Sequence, residues 1–228
     1  MGRVEEDFGE DPYLTGQLGL AYVRGAQGER LNSDHAVVAE PKHFAGHGSP
    51  EGGTNTSPVQ MGERELRTLM LRGFEPAFRA GHAMATMAAY HEIDGIPVTA
   101  DPFLLKEVLG NEWGFRGFVL SDLGAIRRLY DVHHVAATPK DAICMAVRSG
   151  VDMQFYDFDH EIFQKALIDC VHEGTLPADL GRAVGSVLRV KFLLGLFDHP
   201  LVDPALASTV TRSPAHLDLS LQSARLGC

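Results

Sequence analysis

The sequence has 228 residues, 45% of them hydrophobic and 22% charged, with a formal net charge of −10. That composition allows one large domain or two small ones around a sizeable core and excludes a disordered chain. The acidic balance speaks against a nucleic-acid binder and suits a neutral small substrate, such as a sugar, better than a polyanion. No apolar run approaches the ~18–20 residues that span a bilayer. The first seven residues are polar and acidic, unlike a signal peptide, but compartment and oligomeric state are not legible.

In chain order, the first element is a helix over residues 11–28, where Leu14, Leu18, Ala21, Tyr22 and Ala26 follow a 3.6-residue period and Pro12 suits a first turn. Residues 36–44 read as a strand that starts apolar and ends in charge. A helix over 62–81 is expected to place Leu66, Leu69, Met70, Phe74 and Phe78 on one face. Strands follow at 84–90, 117–122 and 151–155, with helices at 102–114, 139–150, 160–174 and 177–195. Gly114 falls at or beyond a helix end. The tail from His199 has prolines, Ser/Thr and weak periodicity, and reads as a linker.

Apolar strands separated by helices imply βαβ units and a parallel sheet covered on both faces. Lys42-His43 ends the first strand, Tyr90-His91-Glu92 the second and Ser121-Asp122 the third. Polar groups at successive strand ends outline a site, as in a (β/α) barrel. A doubly wound sheet would place ligands at the same end, but usually with a glycine-rich phosphate turn. Gly46-His47-Gly48 lacks the rest of that pattern, which also opposes a cofactor-using oxidoreductase; no cofactor is expected.

From spacing alone, Asp122 is either a helix N-cap or a site residue, and Lys42-His43 either a surface pair or donors to hydroxyls. His35, His43, His47, His82, His91, His133 and His134 show no HExxH or Cys/His ligand spacing, so no metal site is expected. Ser121 has no GxSxG elbow around it. Cys144, Cys170 and Cys228 give no disulfide framework; the first two read as small buried hydrophobes.

Five blocks together resemble glycoside hydrolase family 3. Residues 6–12 (EDFGEDP) are similar to its ESFGEDP block, and 42–48 with 50–53 (KHFAGHG, PEGG) to its KHF block. Residues 91–97 (HEIDGIP) resemble NEIDGIP, 112–122 (EWGFRGFVLSD) the EWGFxGFVxSD nucleophile block, and 149–153 (SGVDM) the AGVDM strand. They stand in family order from residue 2 to about residue 200. The resemblance implies an α/β fold, a partial (β/α)8 TIM barrel comprising about its C-terminal half. Residues 1–200 would form that part, and 201–228 a linker toward a C-terminal α/β domain.

The implied activity is hydrolysis of terminal β-D-glucosyl or related residues by retaining double displacement, with Asp122 as nucleophile. Lys42 and His43 match the pair that binds sugar hydroxyls, Arg3 the arginine of a GR-x-x-E block that would also contact that sugar, and Tyr90 an aromatic near the nucleophile, all counted as substrate-binding. The partner is then a small carbohydrate substrate. A β-N-acetylhexosaminidase of the same family would carry an Asp-Ser-His loop, which this sequence lacks. A catalytically silent sugar-binding remnant is the other alternative. Leu123 replaces the usual aromatic after the nucleophile, Thr54 a frequent arginine, His91 the usual asparagine and Ser149 the usual alanine. Glu51, Glu92 and Asp94 are the local candidates for the second carboxyl. The resemblance instead implies an acid/base on the second domain, so the chain is expected to be a fragment with four βα units where a closed barrel has eight.

Overall fold

A computed structural model describes residues 3–226; Gly2, with which the GR-x-x-E block begins, and Cys228 lie outside them. The chain divides into two units at the boundary between Leu194 and Gly195.

In the first unit, helix α1 (Pro12–Gln27) is initiated by Asp11, whose carboxylate accepts the Leu14 N–H at 2.6 Å, with Pro12 at the first position. It lies on α2, built from Glu63–Glu65, a π-helical turn at Leu66–Met70 and Leu71–Arg79. Gly16 permits this contact, since a Cβ there would meet Pro76 Cγ at 3.0 Å. The π turn adds a residue to one turn and shifts the apolar face. Leu69, expected inside, is therefore 45% exposed, and Leu71 takes the buried position at 2%.

Strand β1 (Ala85–Ala88) pairs in parallel with β4 (Phe118–Ser121), from Ala85 opposite Phe118 to Ala88 opposite Ser121. All four β1 residues are buried, as expected for a strand covered on both faces. At Gly117 a Cβ would fall 2.1 Å from the Met84 carbonyl oxygen, so only glycine lets the two strands begin side by side. Single parallel bridges join Phe44 to Ala88 and Leu120 to Met153. The parallel order is thus Phe44, β1, β4, Met153, which follows the sequence.

The outer two expected strands are reduced to those bridges, for identifiable reasons. Beside β1, Pro41 has no N–H to donate; the link consists of Phe44 N–H to Met87 O, Ala89 N–H to Phe44 O, and the Thr86 hydroxyl to Pro41 O. Beside β4, the Asp152 carboxylate accepts the Val119 N–H, taking the place of a backbone partner. Arg182 of α7 (Pro177–Leu193) holds that carboxylate from behind. The buried Gln27 amide ties α1 to both strand approaches, accepting from Ala39 and Met84 N–H and donating to His82 O.

Between β1 and β4 stand an antiparallel hairpin, β2 (Glu92–Ile93) with β3 (Ile96–Pro97), and α3 (Phe103–Glu112), which has π geometry. The hairpin was not anticipated, although its Asp94-Gly95 turn, with φ of +49° and +84°, is the Asp-Gly signal of a type I′ turn. Helix α4 (Ala125–Asp131) was also missed. Helices α5 (Pro139–Ser149) and α6 (His160–His172) fall where expected, α5 capped by the Thr138 hydroxyl on Asp141 N–H. Cys144 and Cys170 are buried but joined by a disulfide, which corrects the reading of two separate thiols. Packing of α5 on α6 brings their Cα atoms to 6.5 Å, a proximity that 26 residues of separation conceal. Phe44 centres the core, ringed by Phe74, Phe78 and Trp113 at 5.3–5.9 Å.

In the second unit, the tail read as a linker forms two helices, α8 (Leu206–Val210) and α9 (Pro214–Leu226).

Candidate active site at the strand ends

Lys42 and His43 precede the Phe44 bridge, Tyr90 follows β1 and Asp122 follows β4. Arg3 caps a 3-10 turn, Val4–Glu6, and reaches the same place. The structure brings these five residues together.

Asp122 does not cap the helix that follows it. Helix α4 begins behind Gly124 with no side-chain cap from Asp122. The first-turn donors go to Asp157 instead, whose Oδ1 accepts the Ile126 and Arg127 N–H groups at 2.5 and 3.2 Å. Its Oδ2 accepts from the Ser121 hydroxyl at 2.6 Å and from Phe155 N–H at 3.1 Å. Asp122 is left with one backbone bond, Leu123 N–H to Oδ1 at 2.7 Å. Its Oδ2 is buried and has no hydrogen-bond partner among the described residues. Sequence reasoning missed Asp157, since nothing local marks an aspartate that caps a helix about thirty residues upstream.

Around Asp122 stands a charge network. His43 Nε2 is 3.4 Å from Asp122 Oδ2. Arg3 Nη2 donates to the same nitrogen at 3.1 Å, and Lys42 Nζ is 3.4 Å from it. Two cations facing Nε2 make it the acceptor and assign the imidazole proton to Nδ1. Burial first, then His47, Lys42 and Arg3, push the His43 pKa down to about 3, so the ring is neutral. Glu6, also missed, holds Arg3 through two oxygens at 2.6 and 3.0 Å and Lys42 at 2.5 Å. Its pKa falls to about 2, chiefly through the Arg3 hydrogen bond and then that of Lys42. It is the glutamate of the GR-x-x-E block, so its signal lay in the sequence. Asn55 accepts from Arg3 Nη1 at 3.2 Å.

The Tyr90 hydroxyl donates to Leu123 O at 2.8 Å, and Arg128 lies 4.7 Å over its ring. Burial first, then the Asp122 charge, raises the phenol to about 12. Ser121 is spent on Asp157 and Phe155. Among the local carboxyls, Glu92 lies 3.3 Å from His133 Nδ1 and Asp94 accepts the Met61 N–H at 3.0 Å. Glu51 is exposed. No group of three potential metal ligands occurs among the described residues.

The family described as "Glycosyl hydrolase family 3 N terminal domain" matches residues 1–190. The periplasmic beta-glucosidase of Salmonella typhimurium is 39% identical over 200 residues, covering 87% of this chain and 26% of its own length. A beta-xylosidase of Formosa agariphila is 33% identical over 208 residues, covering 86% and 28%. The β-glucosidase EmGH1 of Erythrobacter marinus superimposes with a TM-score of 0.88 at 38% identity, covering 96% and 29%. The chain therefore spans less than a third of the length of each of these proteins.

Proposed function

This chain belongs to glycosyl hydrolase family 3, and from that premise we propose that it carries the nucleophile half of a retaining β-glycosidase site. The observation that supports this reading best is the bare Asp122 Oδ2, buried at the end of β4 while Asp157 caps the following helix. In the proposed reaction, Oδ2 attacks the anomeric carbon of a β-glycoside. The bond to the aglycone oxygen breaks with that oxygen taking the electron pair, and a glycosyl ester forms that water later hydrolyses. Lys42 and His43 bind sugar hydroxyls once Arg3 yields the His43 lone pair.

The four parallel segments in sequence order support a partial eight-stranded barrel, with residues 1–200 as that part and 201–228 leading toward a C-terminal α/β domain. A retaining enzyme needs its second carboxyl ~5–5.5 Å from the first. Glu92 and Asp94 are occupied elsewhere, and the acid/base is assigned to the length of the relatives that this chain does not span. The glycone is glucosyl or xylosyl, in line with the relatives' names.

Hydrolysis of 2,4-dinitrophenyl β-glucoside, β-xyloside and β-N-acetylglucosaminide by the purified chain tests the reading. Slow cleavage of the glucoside or xyloside is expected; preference for the N-acetylglucosaminide would replace it by the hexosaminidase alternative. Sugar binding without any cleavage, even after a C-terminal domain from a relative is supplied, would leave a silent binding protein.

A further inference from the structure

His47 is 7% exposed, and neither of its ring nitrogens has a hydrogen-bond partner among the described residues. Each unmade bond of a buried polar group destabilises the fold. A histidine whose only task was to fill the core would have its nitrogens satisfied, or would be replaced by a hydrocarbon of the same size. What His47 does offer is a ring face. Its centroid lies 4.0 Å from that of His43, with the planes tilted by 33°.

The His43 ring needs such a support. Its contacts with Arg3, Lys42 and Asp122 all converge on Nε2 at its edge, at 3.1, 3.4 and 3.4 Å. Edge contacts leave rotation about the last side-chain torsion weakly restrained, and that torsion is intrinsically broad for histidine. His47 makes the ring contact recorded on the face of His43 among the described residues.

His47 is itself held by a pinned turn. His91 Nε2 donates to Ala45 O at 2.9 Å, fully buried beneath the site. Gly46 takes φ +87°, and a Cβ there would meet His91 Nε2 and Ile93 Cδ1, each at 3.2 Å. The turn is thus packed closely on His91 and tied to it through Ala45, and His47 follows in the same turn.

We infer that His47 is a positioning residue: its ring face sets the plane of His43, and through it the placement of Nε2 among Arg3, Lys42 and Asp122. This rests on the reading of Asp122 as the nucleophile. A flat ring at position 47 is what the role requires; its nitrogens are not.

The test compares His47→Phe with His47→Leu, both apolar and of similar bulk. The 228-residue chain is incubated with 2,4-dinitrophenyl 2-deoxy-2-fluoro-β-D-glucoside, and the rate and saturation of adduct formation at Asp122 are followed by mass spectrometry. Folding is checked by circular dichroism. His47→Phe is expected to stay within about threefold of the parent, and His47→Leu to lose about tenfold or more in the limiting rate. In a His43→Ala background the Leu and Phe variants should label equally, since the ring they position is gone. Equal rates for Phe and Leu with His43 present, or an unchanged difference without it, would overturn the inference. If Leu does not fold, the His43→Ala comparison is made with His47→Met, another ringless side chain, to the same criteria. Absence of any Asp122 adduct in the parent chain would overturn the nucleophile reading itself, and this inference with it.

Discussion

At the scale of single residues, two aspartates divide the work between them. Asp157 collects the donors at the start of α4 and the Ser121 hydroxyl, and Asp122 is released from capping. Asp157→Ala should then cost about 2–3 kcal/mol, from a lost cap and an unsatisfied buried hydroxyl, read as a lower urea midpoint. Asp122→Asn should leave that midpoint nearly unchanged, since the single bond from Leu123 N–H can be kept. The three buried imidazoles make a second prediction. Burial is the main cause that lowers His43 to about 3 and His47 and His91 to about 4. Their folded values lie below the unfolded value of ~6.5. The unfolded chain therefore binds more protons in this window: stability is intact above about pH 6.5 and falls as pH drops toward 4. Each ring contributes at most ~1.4 kcal/mol per pH unit. His91→Asn should remove about a third of that slope in urea titrations between pH 6.5 and 4; an unchanged slope would show that His91 is not a neutral buried ring.

At the scale of elements, most helices were legible from their own signals, whereas α4, α8 and α9 were not. Pro12 behind Asp11 and Pro139 behind Thr138 mark two starts that the structure keeps. The strands at 84–90 and 117–122 were legible as apolar runs. Those at 36–44 and 151–155 shrank to bridges because Pro41 and the Asp152 carboxylate replace ladder bonds, which periodicity cannot register. In the site, Arg3, Lys42, His43, Tyr90 and Asp122 were all marked by motif position. Glu6 lay in plain view in its block, whereas Asp157 depends on a long-range contact. The disulfide between α5 and α6 was hidden for the same reason. A loop of 26 residues closed by one disulfide stabilises by ~3–4 kcal/mol on chain-entropy grounds. Reduction, or Cys170→Ala, should lower the thermal midpoint by several degrees, and no change on reduction would mean that the bond contributes nothing to the fold.

At the scale of the whole molecule, the site is lopsided. It holds the proposed nucleophile Asp122, two cations and a balancing glutamate, while the carboxylates Glu92 and Asp94 are engaged in other contacts. Chemistry that needs no acid should therefore survive better than chemistry that does. The chain should release dinitrophenol from an activated β-glucoside slowly, and cleave an alkyl β-glucoside or cellobiose at least 10³-fold more slowly still. Turnover of the unactivated substrates at ordinary glycosidase rates, on the order of 1–10³ s⁻¹, would place the acid/base within these 228 residues.

In the proposed reaction the bare oxygen of Asp122 forms the glycosyl bond. That step is tested most directly by treating the folded chain with the activated 2-fluoroglucoside, digesting it and sequencing the modified peptide by mass spectrometry. One sugar per chain is expected, on Asp122, and none on Asp122→Asn. A sugar on another carboxylate, or an unmodified Asp122 in chain shown to be folded, would contradict it.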